Sequence, residues 1–345
     1  MKLLSIMPIY PPYPGGCASY TTILVKFIDN KKIRRHSVIS EYSKNFILKV
    51  RNSKIFRILP RRRSKKKQPF VYSLFSFFLY RIVIIISLII FRFLNYRLCH
   101  FHSSISQPTD ILFAKLLGYR ITIDVRDLYI LPKNIRFADN AICCSEDILR
   151  KVKKFGLRTN LFYIPVPLDF EELESIPFSK DFIMNDDYIL YLGVISFDKG
   201  IDQLIQAFKI ADLDSQFSRK LVLAGPLQDK AILDQDLKNI IYLGSVERNE
   251  AVNLIRNSLF VVVPGNFEGF PRVILESYYL NTPLVLNKKI SKKLDLDCTG
   301  IDCNNSNEFS DALKKVYRRE PTCSIELSKF DAKLIINKTT EIFLN

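Results

Sequence analysis

Histidine is scarce in this sequence of 345 residues, with only His36, His100 and His102. Two of them sit in YRLCHFHSS (Tyr96–Ser104), which reads as a strand, with Cys99 alongside. Alternation on a strand puts both rings on one face. With a single further imidazole in the chain there are too few ligands for a structural or catalytic metal, and none is expected. The seven cysteines are odd in number and form no spaced framework, so reduced thiols in a cytosolic protein are expected. The start, MKLLSIMPIYPPYP, has only a few apolar residues before its prolines, too short a run for a signal peptide. Acids are nearly missing from Lys31 to Lys67, where 15 Lys/Arg face one acid, Glu41. That segment carries almost all of the net charge of +16. No nucleic-acid recognition motif accompanies it, which argues against a nucleic-acid partner.

What is present describes a folded protein. Apolar residues make up 48% and charged residues 25%, and the length suits two domains, each with its own core. Directly after the basic segment comes FVYSLFSFFLYRIVIIISLIIF (Phe70–Phe91), the most apolar stretch of the chain. A basic cluster beside an apolar helix is the pattern of a membrane-surface segment. The stretch is long enough to span a bilayer, but Arg81 would lie near its centre at a cost of about 3 kcal/mol. An interfacial helix is the leading expectation, with a spanning helix and a protein-buried helix as alternatives.

The chain alternates strand-like and helix-like runs, which predicts parallel sheets in an α/β fold. KLLSIMPI opens the first sheet, and its loop carries Gly15-Gly16 before a helix at about 18–28. Tyr163–Phe178, with three prolines, reads as an inter-domain linker. The second half begins with DYILYLGVISFDKG, a strand followed by Lys199-Gly200 at a helix mouth, where lysine can meet phosphate as a point charge. LFVVV (Leu259–Val263) is a buried strand, followed by PGNFEGFP and the helical RVILESYYL. The free amides and dipole of such a helix start attract phosphate. Glu268 and Glu276 flank it, eight residues apart, and carboxylates suit hydroxyl groups such as those of a ribose or a sugar. A nucleotide-sugar pocket fits this combination. Asp212-x-Asp214, Asp234-x-Asp236 and Asp295-x-Asp297 lie in helical or loop contexts rather than at strand ends and are taken as chance.

Pro264-Gly265, Glu268-Gly269-Phe270-Pro271 and Glu276-Ser277 together resemble the signature of retaining glycosyltransferase family 4. The resemblance covers most of the chain and is strongest from Asp187 to Pro283. It implies an α/β fold of the GT-B type, two Rossmann-like domains facing each other across a crevice, with boundaries at 1–168 and 169–325 and a final helix, 326–345, crossing back. It implies transfer of a hexose-type sugar from a UDP- or GDP-sugar to a lipid-linked or surface-glycan acceptor in polysaccharide synthesis. That work would be done with retention and with no cofactor beyond the nucleotide-sugar substrate. By the same resemblance Glu276 holds the ribose and Glu268 the donor sugar. Lys199 and the amides around Gly269, Phe270 and Pro271 hold the diphosphate, Gly15 and Gly16 face donor and acceptor, and His102 lies nearest the reacting carbon. Two departures stand out. The family's second phosphate cation, an Arg, is Val194 here, and a common His-Asp strand end is Arg126-Asp127. The expected location is the inner face of the cell membrane, on an anionic surface. Alternatives are a catalytically silent membrane-bound protein that keeps the fold, and a nucleotide-sugar 2-epimerase.

Overall fold

The computed structural model describes residues 1–7, 10, 16–43, 45–60, 70–102, 107–126, 132–179, 187–212, 219–234, 238–265, 270–294, 297–298, 300–315 and 323–345. Gly15, Asp127, Glu268 and Gly269 lie outside them, as do Asp214, Asp236 and Asp295. The chain forms two compact units, Met1–Pro167 with Lys329–Asn345, and Leu168–Ser328.

The first unit is built on eight strands: β1 (Lys2–Ile6), β2 (Arg35–Glu41), β3 (Ile47–Val50), β4 (Ser53–Leu59), β5 (Leu98–His102), β6 (Arg120–Val125), β7 (Asn140–Cys143) and β8 (Asn160–Tyr163). Their order is β3-β4-β2-β1-β5-β6-β7-β8. All neighbours are parallel except β3 and β4. β3 and β4 are therefore an antiparallel hairpin on the sheet edge, turning at Arg51 with φ 49°. Helices α1 (Gly16–Phe27), α2 (Phe70–Phe93), α3 (Pro108–Leu116), α4 (Pro132–Ile135) and α5 (Glu146–Lys153) connect the strands. Ser145 caps α5, its hydroxyl accepting from the Ile148 amide, as its place before two acids predicts.

One face of this sheet packs Leu3, Val38 and Leu98 against Ile23 and Leu24 of α1, and against Ile335, Ile336 and Phe343 of the final helix. The final helix therefore belongs to this unit's core. The other face carries α2, where Phe56 of β4 meets Phe91 edge-on at 5.6 Å. Tyr80, Arg81, Ile84, Leu88 and Phe91 point inward at helical spacing. Arg81 is 8% exposed and paired with the buried Asp110 of α3, so the charge that made a spanning helix costly has a partner inside the protein. Among the described residues no helix is long and apolar enough to cross a membrane.

The second unit begins with α6 (Phe170–Ser175). It is built on β9 (Tyr188–Leu192), β10 (Lys220–Ala224), β11 (Ile240–Gly244), β12 (Phe260–Val263), β13 (Leu284–Asn287) and β15 (Gly300–Ile301), in the order β11-β10-β9-β12-β13-β15, all parallel. Helices α7 (Ile201–Asp212), α8 (Arg248–Asn257), α9 (Arg272–Tyr279), α10 (Lys288–Leu294) and α11 (Ser306–Lys315) flank it, while β14 (Asp297–Cys298) and β16 (Cys323–Ser324) form a separate ribbon. The last helix, α12 (Ala332–Leu344), returns to the first unit. Strands covered on both faces read as continuous apolar runs, which is why ILYL and FVVV were recognisable. Leu204 and Phe208 of α7 and Phe309 and Leu313 of α11 seal this core.

Candidate functional site

In the second unit the carboxyl ends of neighbouring parallel strands make the region where ligands bind in open α/β sheets. Three of these ends carry glycines: Gly193 after β9, Gly225 after β10 and Gly244 ending β11. The Gly193 amide donates to the Ala224 carbonyl at 2.9 Å and the Gly225 amide to the Gly244 carbonyl at 2.7 Å. Gly225 has φ 141°, and a Cβ there would lie 1.8 Å from the Gly193 carbonyl oxygen. Gly225→Ala is therefore expected to displace the rim and destabilise the unit by about 3 kcal/mol or more, read as a fall in the urea midpoint.

The helix mouth predicted at Lys199-Gly200 takes a specific form. Phe197–Lys199 is a single 3-10 turn, and Gly200 adopts φ 71° before α7 starts at Ile201. The Phe197 amide donates to Asp229 Oδ2 at 3.0 Å. A Cβ on Gly200 would sit 3.1 Å from the Pro264 carbonyl oxygen, and one on Gly265 would sit 3.1 Å from the Lys199 carbonyl oxygen. The Lys199-Gly200 backbone and the Pro264-Gly265 backbone thus lie against each other, and Gln203 Oε1 also comes within 3.1 Å of the point that a Gly200 Cβ would occupy. Asn287 Nδ2 donates to the Pro264 carbonyl at 2.7 Å and fixes that corner. The sequence placed these two loops 65 residues apart; the strand order β9-β12 makes them neighbours.

Pro271 caps α9, and Phe270 and Pro271 stand half-buried at its start. Glu276, one turn into α9, is 4% exposed. Its Oε1 lies 2.9 Å from Arg248 Nη1 and 3.3 Å from Arg272 Nη2, and Arg248 Nη2 lies 3.2 Å from Glu172 Oε2. Burial alone would raise the Glu276 pKa, but the two guanidiniums outweigh it and hold the carboxyl below its ordinary value, so it is ionised at neutral pH. Sequence reasoning missed Arg248 and Arg272. Glu172, Arg248 and Glu276 come from three helices, and only the fold joins them. Val194 is half-buried, with its carbonyl accepting from Tyr191 Oη at 2.9 Å.

In the first unit Gly16 starts α1 and is exposed, and a Cβ there would meet nothing within 4 Å among the described residues. Cys17 follows, and its Sγ lies 3.3 Å from His102 Nε2. His102 and His100 share a face as alternation predicts, His102 beside α1 and His100 against Phe343 of α12 with ring centroids 4.8 Å apart. His102 is 1% exposed, and burial lowers its pKa to about 4, so the ring is neutral at pH 7. Behind it runs a line of polar groups, one from each of five adjacent strands. Ser53 Oγ meets His36 Nδ1 at 2.9 Å, His36 Nε2 meets Ser5 Oγ at 2.8 Å, and Ser5 Oγ meets His100 Nδ1 at 3.4 Å. His100 Nε2 then faces Asp124 Oδ2 at 3.6 Å. Asp124 pairs with Arg126 at 3.0 Å, and that guanidinium lies 3.7 Å above the Tyr20 ring. Arg126, a departure from the family pattern, is thus the counter-ion of a fully buried aspartate.

Among the described residues no group of three or more His, Cys, Asp or Glu could hold a metal ion. Asp212 is used structurally, accepting from Asn239 Nδ2 at 2.9 Å.

Residues 173–325, nearly the whole of the second unit, match the family described as glycosyl transferases group 1, in the half of the chain where the resemblance read from the motifs is strongest. Over 180 residues the chain is 27% identical to the capsular polysaccharide biosynthesis glycosyltransferase CapM of Staphylococcus aureus, covering 46% of each protein. The chain spans less than half the length of the curated relatives it matches. Its fold is similar, with a TM-score of 0.70, to sucrose-phosphate synthase from Thermosynechococcus elongatus, at 12% identity over 100% of this chain and 94% of that one. It is also similar, with a TM-score of 0.68 and 12% identity over 100% and 95%, to an E. coli trehalose-6-phosphate protein described as bound with UDP-2-fluoro glucose. The α/β fold of two Rossmann-like units is therefore of the GT-B type.

Proposed function

We propose that the protein transfers a hexose-type sugar from a UDP- or GDP-sugar to a lipid-linked or surface-glycan acceptor in capsule, exopolysaccharide or lipopolysaccharide synthesis. It acts with retention, as a peripheral protein at the inner face of the membrane. The observation that carries this reading is the close approach of Lys199-Gly200 to Pro264-Gly265 beside the start of α9. It joins a lysine, glycine backbone and, a few residues further along the chain, a helix N-terminus, the combination a diphosphate requires. Glu276, held ionised, is the acceptor for ribose hydroxyls. Lys199 and the amides near Phe270 and Pro271 neutralise the leaving diphosphate, where charge develops. Glu268, Gly269 and Gly15 keep the roles that the family resemblance implies, outside the described residues. Gly16, exposed at the start of α1, and the neutral His102 likewise keep the roles that the family resemblance implies. The UDP-sugar analogue on a protein of the same fold and the capsular relative support the donor and pathway class. Val194 favours a second reading, a silent nucleotide-free relative that keeps the fold and the membrane location.

Release of nucleoside diphosphate from UDP- and GDP-sugars, with a membrane lipid extract as acceptor, separates the two. Release is expected with one base, and Lys199→Ala is expected to lower kcat about a hundredfold, as removal of one charge-stabilising donor does. No release with either base and any acceptor sinks the enzyme reading.

A further inference from the structure

The outward face of α2 is apolar along its whole described length. Phe75, Phe78, Ile82, Ile86, Ile90 and Phe93 are all exposed, Phe75 by 64% and Phe93 by 88%. They recur every three or four residues and so make one stripe roughly 27 Å long. The helix cannot roll to bury it. The Arg81–Asp110 pair, the Tyr119 hydroxyl donating to the Leu88 carbonyl at 2.7 Å and Arg92 Nε donating to the Leu117 carbonyl at 2.6 Å fix its inner side. Leu112 and Leu116 of the adjoining α3 are exposed as well, Leu116 by 77%. Exposed apolar surface on this scale marks an interaction site.

Charge identifies the occupant. The sequence contains no Asp or Glu from Tyr42 to Thr109. On the sheet edge Lys49 and Lys54 are opposite one another in the β3–β4 register, both exposed, on the side of the hairpin where Phe56 meets α2. Arg61, Arg62, Arg63, Lys65, Lys66 and Lys67 immediately precede α2 in the chain. Lys67 is three residues from Phe70, a tether of about 10 Å at full extension. Two copies of this chain meeting through α2 would bring these cationic flanks together, whereas anionic headgroups neutralise them. We infer that the outer face of α2, with Leu112 and Leu116 and the Lys49–Lys54 rim, is a docking surface for an anionic lipid bilayer. The helix lies in the plane of the interface with its stripe in the acyl boundary and its cations among the headgroups. This deepens the membrane part of the proposed function and is independent of the chemistry at Lys199 and Glu276.

Flotation of the full chain with phosphatidylcholine vesicles, with and without 30% phosphatidylglycerol, tests it for wild type, Ile82→Glu/Ile86→Glu and Lys49→Glu/Lys54→Glu. Each variant is compared with wild type for thermal midpoint and for nucleoside diphosphate release by slow donor hydrolysis in the absence of lipid. Wild type is expected to float with the anionic vesicles and to be released by salt. The Ile82/Ile86 variant is expected to bind at least tenfold more weakly with its midpoint and release unchanged, and the lysine variant to lose most of its preference for anionic lipid. If wild type floats and both variants float equally well, α2 is not the surface, though the membrane location stands. If wild type ignores anionic vesicles at low salt, surface and membrane location both fall, while diphosphate release still decides the transferase reading. Concentration-dependent dimerisation abolished by Ile82→Glu/Ile86→Glu, without vesicle binding, would assign the face to a second copy instead.

Discussion

Glu276→Ala is expected to weaken nucleotide binding by a factor of about 10²–10⁴. A buried carboxylate accepting two ribose hydroxyls makes two charge-assisted hydrogen bonds of about 1.5–3 kcal/mol each, which the alanine cannot replace. The ion pairs with Arg248 and Arg272 make the same residue structural. Removing it leaves two cations facing one another, so some loss of stability accompanies the loss of affinity. Two further variants separate the effects. Arg248→Ala removes a partner of Glu276 without removing the ribose acceptor, and is expected to lower the urea midpoint while costing under tenfold in affinity. Glu276→Gln keeps the volume and one acceptor oxygen, and is expected to fall between alanine and wild type. Titration calorimetry with UDP and GDP reads all three. Equal affinity for wild type and Glu276→Ala would remove Glu276 from the donor site.

The first unit is expected to lose stability steeply between pH 6.5 and pH 4. Burial, with His100 nearby, lowers the His36 pKa to about 3, and burial lowers that of His102 to about 4. In the unfolded chain both titrate near 6.5. A lowered folded pKa means that the unfolded state takes up the proton first, so the contribution is complete above about pH 6.5 and drains away as pH falls toward the folded values. The loss is about 2 kcal/mol per histidine at pH 5 and about 3 at pH 4, a large part of a stability of about 5–15 kcal/mol. Asp124 acts lower in the scale. Burial would raise its pKa, but Arg126 and His100 pull it well below the carboxylate range, so its contribution persists until pH falls below about 4. Urea midpoints at pH 7.5 and pH 5.0 check this, and His102→Gln should remove about half of the difference. A midpoint independent of pH across that window would mean that the buried histidines are already charged.

The α/β class and the second unit were legible because buried parallel strands announce themselves as apolar runs. Pro264–Pro283 and Lys199-Gly200 further bring chemistry-bearing residues to strand ends in a recognisable order. The partners of those residues were not legible. Arg248 looks like an ordinary exposed first-turn arginine of α8 until α8, α9 and α6 are packed together. The line from Ser53 through His36, Ser5 and His100 to Asp124 draws one residue from each of five strands, and only the parallel register aligns them. The β3–β4 hairpin carries no clear signature in the sequence, because nothing between Val50 and Ser53 is a strong turn pair. Composition suggested that Phe70–Phe91 is unusual, yet its apolar residues run all round the helix. The division into a packed inner face and an exposed stripe came from where Arg81 found Asp110.

The central claim, a nucleotide-sugar donor site in the second unit, is tested most directly by thermal unfolding of the wild-type protein with UDP and with GDP. A ligand bound only to the native state at a hundredfold excess over its Kd stabilises by about 2.7 kcal/mol, or about 5–11 °C for a unit of this size. The donor-site account predicts such a shift with one of the two nucleotides and a smaller one with the other. No shift with either, at concentrations up to several millimolar, would contradict it.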